Sequence, residues 1–426
     1  MKITIHRGQN QIGGCITEIA TATTHILIDL GHNLPNNENK SDSMANKEAV
    51  EQLTEKVDAI FYTHYHGDHL NLFNFVPKDV PQYIGSTAKK VTLCKYEILS
   101  KAKKTEKFDT KVTQEDVKLL NSFKTFQATQ KIKVGDITIT PFFVSHSACD
   151  AYMFLIKADG KRILHTGDFR QHGYLGKGLI PTIEKYIVNN ETVDYLITEG
   201  TMLSRPDEKV KTEQEIQQEA AKLLKQSKYV FVLCSSTDID RLASFYQASK
   251  TADRSFLVDG YQKDVLKIFT LTAGKYSECF QFKDVQFFKQ GHEKQLAIIK
   301  KRGFCMPIRG TKLPLIQDLL KQLPEEETIL IYSVWDGYLK EGKNRNEDYF
   351  NIWNMFTNRE KLHTSGHASC ETLAEVCNLV NPSQGIIPIH SEHSDKFKEL
   401  KIRDELKSRI ITESQQNGNV EIEIFK

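Results

Sequence analysis

The stretch His64-Tyr65-His66-Gly67-Asp68-His69 places three imidazoles and a carboxylate within six residues. These are donors that zinc takes and, less exclusively, manganese. His64 and His66 project to one side of an extended segment, because alternate side chains share a face, and Asp68 and His69 project from the turn that follows. Two metal ions can share such a loop. Residues Val57 to Thr63 before it read as a buried strand, so the cluster lies where a strand ends, the usual place for a site in an α/β sandwich.

Three more strand ends carry donor-type residues: Val144-Ser145-His146, Leu164-His165-Thr166-Gly167-Asp168, and Pro388-Ile389-His390. Taken singly, a histidine after a strand or a Gly-Asp pair is an ordinary structural feature. Their coincidence with the first cluster points to ligands.

The elements that must hold these residues alternate along the chain. Strand-like runs at 26–29, 137–140, 152–156, 162–165 and 195–198 are separated by Gly-rich turns and helical segments, which predicts an α/β fold with two sheets. After Glu199-Gly200-Thr201 the pattern becomes a longer alternation. Thr212 and Glu215 form a capping box that opens a helix to Lys225; then come strand 229–234, helix 239–250, strand 255–259, helix 261–271, helix 312–322 and strand 328–333, the pattern of a separate parallel sheet. The closing stretch returns to site chemistry with His363-Thr364-Ser365-Gly366-His367, a helix over 369–380, and His390. This predicts a first domain in two parts, 1–200 and 363–426, with 201–362 inserted between them.

Bulk properties narrow the class. A chain of 426 residues with 39% hydrophobic and 26% charged residues is a soluble globular protein of two or three domains. No apolar run approaches the length of a membrane span and the start reads as a first strand, so a cytoplasmic protein is expected. The eight cysteines are scattered singly and read as reduced core thiols. A formal charge of +2 is low for a dedicated non-specific nucleic-acid binder. Two basic stretches, Lys101 to Lys104 with Lys107 and Lys111, and Lys294 with Lys300 to Arg302, read first as solvated helix faces. Residues 33–46 read as an exposed polar loop.

With these motifs, the chain resembles the metallo-β-lactamase superfamily over nearly its whole length and, within it, the β-CASP nucleases, the group containing ribonuclease J and the endonuclease of mRNA 3′-end processing. The resemblance implies an αββα sandwich with an inserted parallel-sheet β-CASP domain. It further implies that one metal takes His64, His66 and His146, that the other takes Asp68, His69 and His390, that Asp168 bridges, and that Asp29 is a supporting aspartate. Glu199, His367 and His390 resemble the three β-CASP motifs. His390-Ser391-Glu392 departs from the His-Gly-Glu common in ribonuclease J, which affects the turn and not the ligand. With its end at Lys426, the chain is expected to lack the extra C-terminal domain of long ribonuclease J chains.

The chemistry follows from these parts. Two cations lower the pKa of a shared water and stabilise the attacking and leaving oxygens of an in-line displacement. Asp68 orients the resulting hydroxide, and His367 paired with Glu199 protonates or stabilises the leaving oxygen. Ser235 and Ser236, between an apolar strand and a helix, resemble the ribonuclease J element that holds a 5′ monophosphate; an ordinary helix cap by Ser or Thr is the alternative. Ser365 and Gly366 are further candidate phosphate contacts, and Tyr332, Trp335 and Tyr338 candidate stacking residues, at least one of them in the core. The expected function is a two-metal nuclease acting on RNA before DNA, zinc before manganese, with a lean toward 5′ exonuclease. The rivals are a hydrolase of a small phosphodiester or ester, and an inactive RNA-binding or scaffold protein.

Overall fold

The computed structural model describes residues 1–34, 47–101, 112–189, 191–289, 291–342, 344–412 and 420–423. Residues 35–46 of the polar stretch read over 33–46, and residues 102–111 of the basic stretch that starts at Lys101, lie outside the described residues. The chain divides into two compact units, one of residues 1–171, 175–208 and 366–426, the other of 172–174 and 209–365.

The first unit begins with β1 (Lys2–Arg7), β2 (Ile16–Ala20), β3 (His25–Ile28), β4 (Ala59–Phe61), β5 (Gln82–Gly85) and β6 (Lys124–Phe126). It continues with β7 (Ile132–Val134), β8 (Ile137–Val144), β9 (Ala151–Ala158), β10 (Lys161–His165) and β11 (Tyr195–Glu199). The second unit contributes β12 (Tyr229–Leu233), β13 (Ser255–Val258), β14 (Val285–Phe287), β15 (Phe304–Ile308), β16 (Thr328–Tyr332) and β17 (Arg359–Lys361), and the chain then returns to the first with β18 (Gly385–Ile389) and β19 (Val420–Glu423).

Two sheets, β19-β1-β2-β3-β4-β5-β6 and β18-β11-β10-β9-β8-β7, face each other in the first unit. Ile3, Ile26 and Phe61 of one interlock with Ile139, Phe154, Ile197 and Ile387 of the other. Alternation of side chains along a strand leaves a second apolar face. Leu164, Leu196 and Ile386 present it to Leu373, Val376 and Cys377 of helix Cys370–Val380, while helix Ser86–Lys101 lies against β5 and β6. The layers are those of an αββα sandwich.

One strand is shorter than the pattern of apolar residues predicts. The run Val57–Thr63 pairs as a strand only over Ala59–Phe61, because the Thr63 N–H donates to Asp29 Oδ1 at 2.7 Å instead of to a ladder carbonyl. A side chain has taken the bond that would have extended the strand, and it sits beside the histidine cluster.

In the second unit the strands are all parallel, in the order β14-β13-β15-β12-β16-β17. The five residues of β12 are all buried, as a continuous apolar run in a parallel sheet requires. The capping box of Thr212 and Glu215 is present. The helix expected over 312–322 spans Leu313–Leu320, with Pro314 in its first turn and a 3₁₀ turn at Gly310–Lys312 before it. The helix after β12 is capped by neither serine nor threonine: Asp238 accepts from the Arg241 N–H at 3.1 Å. Tyr332 is a core residue and Tyr338 is exposed.

Fully buried Arg241 pairs with fully buried Glu213 at 3.1 Å, and also donates to Ser333 Oγ at 2.7 Å and Thr364 O at 3.0 Å. Removing one member of such a pair leaves a buried charge uncompensated. Glu213→Ala is therefore expected to destabilise this unit by about 3–5 kcal/mol in chemical denaturation. A change below about 1 kcal/mol would show that water replaces the carboxylate at no cost.

Candidate metal centre

The donor residues converge at strand ends of the first unit. Behind β4, His64 follows Thr63 directly, and the single helical turn Gly67–Leu70 carries Asp68 and His69. The loop after β3 runs so close to that turn that a Cβ on Gly31 would lie 1.7 Å from Asp68 O. Only glycine permits it, and the two segments are then tied by Leu30 N–H to His69 O at 2.8 Å and His32 N–H to Gly67 O at 3.0 Å. Asp29 and His390, each just after a strand, hold φ of 62° and 50°. Non-glycine residues at such angles are strained and collect at functional sites.

The imidazoles are oriented by their Nδ1 atoms. Nδ1 of His64 lies 3.0 Å from Thr63 Oγ1, that of His69 2.8 Å from Asp29 Oδ2, that of His146 2.7 Å from Gly366 O, and that of His390 2.7 Å from Thr201 Oγ1. Each ring thus turns Nε2 inward, as metal-binding histidines do when a second group holds their other nitrogen. His66 contributes Nδ1, which lies 3.2 Å from His146 Nε2.

Among the described residues four sets of mutually close donors result: His64, His66 and His146; His64, His69 and Asp168; Asp168, Glu199, His367 and His390; and Cys15, His69 and His390. Asp168 Oδ2 is the common point, at 3.1 Å from His69 Nε2, 3.5 Å from His390 Nε2, 3.7 Å from His367 Nδ1 and 3.9 Å from His146 Nε2. Asp68 Oδ2 lies 3.2 Å from His390 Nε2. His64 Nε2, His69 Nε2 and Asp168 Oδ1 are buried without a hydrogen-bond partner; the 3.1 Å approach of His69 to Asp168 is close but not aligned as a hydrogen bond. Buried donors left this way are costly, and divalent cations satisfy all three. The donor set fits them.

Electrostatics of the first histidine set and of the two carboxylates agree with that chemistry. Burial, reinforced by neighbouring imidazoles, pushes His64 and His146 well below the ordinary histidine range, and burial brings His66 down to about 4. These three stand neutral, the form that binds a cation. Burial acts the same way on His69, but Asp168 and Asp29 outweigh it and raise the imidazole. Against burial, His390, His69 and His367 hold Asp168 well below the carboxylate range, and His69 and His390 do the same for Asp68. His367 is raised despite burial by Glu199 and Asp168. Its Nδ1 lies 3.0 Å from Glu199 Oε2, and Glu199 Oε1 accepts the N–H groups of Ala368 at 3.1 Å and Phe169 at 3.2 Å.

Gly366 belongs to this unit and serves it through its carbonyl. Ser235, Ser236 and Ser365 belong to the second unit: Ser235 is exposed with its Oγ near the Thr237 N–H at 3.3 Å, and Ser365 is buried with its carbonyl 2.6 Å from His172 Nε2. Two residues beside the donors escape sequence reasoning. Thr201 reaches both His367 Nδ1 at 3.2 Å and His390 Nδ1, and Cys15 has its sulfur within 4.8 Å of donors of His69 and His390. A threonine after a Glu-Gly turn and a lone cysteine after a Gly-Gly pair carry no pattern of their own. Among the described residues no disulfide joins any of the eight cysteines.

Residues 24–232 match a beta-lactamase superfamily domain, and residues 357–412 match a Zn-dependent metallo-hydrolase RNA specificity domain. The chain is similar to ribonuclease J of Mycoplasma genitalium, 22% identical over 352 residues, covering 79% of this chain and 58% of that one. It is similar to ribonuclease J 2 of Streptococcus pyogenes serotype M3, 20% identical over 393 residues, 89% of this chain and 68% of that one, and to ribonuclease J of Thermus thermophilus, 26% identical over 289 residues, 66% and 50%. It therefore spans little more than half of the Mycoplasma genitalium relative and about a quarter of those from Helicobacter pylori (58% and 23%). A crystal structure of a protein of unknown function from Enterococcus faecalis V583 shares the fold, with a TM-score of 0.71, 18% identity and 99% of both chains covered. The two domain matches and the ribonuclease J relatives together support placing the chain in the metallo-β-lactamase superfamily and, within it, the ribonuclease J-like β-CASP family.

Proposed function

We propose that this chain is a metal-dependent nuclease that hydrolyses phosphodiester bonds of RNA in the cytoplasm, working from a 5′ end, with zinc ahead of manganese as its metal. The observation that carries the reading is the meeting of two buried donor sets on one oxygen of Asp168. Relatives named ribonuclease J and the match to an RNA specificity domain support RNA as the substrate. Among the described residues no helix is long and apolar enough to cross a membrane. In this reading, residues 1–200 and 363–426 form the metallo-β-lactamase domain and 201–362 the β-CASP domain.

His64, His66 and His146 would hold one cation and Asp68, His69 and His390 the other, with Asp168 serving both. Bound there, the cations supply Lewis acidity to the phosphoryl group and acidify a shared water. Asp68 accepts a hydrogen bond from the attacking water and aligns it on phosphorus. Glu199 is a positioning residue: its carboxylate fixes Nδ1 of His367 and raises that imidazole, so Nε2 keeps a proton for the leaving 3′ oxygen. Ser235, Ser236, Ser365 and Gly366 are the proposed substrate contacts.

Elemental analysis of the purified protein, combined with digestion of end-labelled RNA and DNA bearing 5′ hydroxyl, monophosphate or triphosphate, tests the reading. The expected result is about two transition-metal ions per chain, loss of hydrolysis on chelation, and faster loss of linear than circular RNA. Metal content near zero with nuclease activity intact would sink it. His367→Ala is expected to lower kcat by about 10²–10⁴ with metal content unchanged, and loss of an ion from that variant would make His367 a ligand instead.

A further inference from the structure

The loop from Gly8 to Cys15, between β1 and β2, is built around the corner held by Asp68 and His390. Gly8 O accepts the His390 N–H at 2.5 Å, the Cys15 N–H donates to Asp68 O at 3.0 Å, and Cys15 O accepts from Gly31 at 3.2 Å. Other side chains are kept out of this corner. A Cβ on Gly13 would lie 2.8 Å from Asp68 Oδ2 and one on Gly8 3.1 Å from Cys15 Sγ, and both glycines have positive φ. Cys15 is the exception: its side chain is buried, and its sulfur lies within 4.8 Å of donor nitrogens of His69 and His390. His69 Nε2 is buried without a hydrogen-bond partner, 3.1 Å from Asp168 Oδ2, while Asp29 occupies the other ring nitrogen.

We propose that Cys15 is a sulfur ligand of the second cation, joining His69 and His390, and that it makes this position select zinc over manganese. The inference rests on the two-cation reading above. A thiolate is a soft donor that suits zinc, whereas manganese favours carboxylate and water. On coordination the S–H bond of Cys15 breaks, its proton passes to solvent and a sulfur lone pair is donated to the cation. Burial of the sulfur shields it from oxidants that reach exposed thiols.

The test is spectroscopic and does not depend on turnover. Full-length protein loaded with cobalt(II) should show a sulfur-to-cobalt charge-transfer band, and zinc-loaded protein an X-ray absorption shell of sulfur at about 2.3 Å. Cys15→Ser and Cys15→Ala should keep both cations, lose the band and the shell, and lose at least about tenfold of the zinc-over-manganese preference in competition. Native protein that binds two cobalt ions without a sulfur band overturns the assignment of Cys15 alone. Native protein that binds no cobalt overturns the two-cation reading and this assignment together.

Discussion

Asp168→Ala is expected to abolish phosphodiester hydrolysis and to reduce bound metal below one ion per chain, while the chain still folds. One oxygen of this carboxylate lies within 3.9 Å of four imidazoles, so among the described residues it is the anionic group placed to serve both donor sets. Without it, the second set keeps a single carboxylate, Asp68, and the first set keeps none. Charge stabilisation by bound cations is worth several kcal/mol, so losing both lowers the rate by about three orders of magnitude or more. Removing Asp168 deletes a buried charge, but against burial His390, His69 and His367 hold that carboxyl ionised in the fold. The metal-free variant is therefore expected to melt below the metal-free native protein while still folding, and the native protein alone gains stability on adding zinc. Activity within tenfold of native, at full metal content, would show that Asp168 does not bridge.

Much of this was legible because the donors are chemically unusual and sit where strands end. A run such as Tyr229–Leu233 is apolar throughout and can only be a strand covered on both faces, and a capping box such as that of Thr212 and Glu215 is a local device that neighbouring residues suffice to define. What escaped depends on side chains reaching across the fold. The end of β4 is set by the Asp29 carboxylate, which competes for the Thr63 N–H. Asp238 wins the helix cap from three nearby hydroxyl residues, because a carboxylate is the stronger acceptor for the amides of a helix N-terminus. His172–Tyr174 belongs with the second unit although it follows Asp168 closely, because the Glu213 N–H bonds to His172 O at 3.0 Å and the Tyr174 hydroxyl to Gln217 at 2.8 Å. Cys15 reads as an ordinary core thiol, and its nearness to His69 and His390 arises only because the β1–β2 loop reaches the residue after β18, with Gly8 O accepting the His390 N–H.

Asp68→Ala and His390→Ala should each lower kcat by at least about two orders of magnitude and leave roughly one ion bound. Neither residue belongs to the set of His64, His66 and His146, so that set should stay loaded. Asp68 and His390 face each other at 3.2 Å and would serve one cation, which makes their effects non-additive. Once the first substitution empties the position, the second has little left to remove, as when members of a catalytic unit are deleted together. His390 also holds a left-handed backbone at φ 50°, which asparagine tolerates better than alanine. His390→Asn therefore separates backbone strain from ligand loss: it should fold at least as well as His390→Ala and be equally slow. Measured in metal-replete buffer, the Asp68→Ala, His390→Ala double variant should fall within about fivefold of the slower single variant. If the two losses multiply instead, the residues act at separate points of the reaction and the shared second cation is not what joins them.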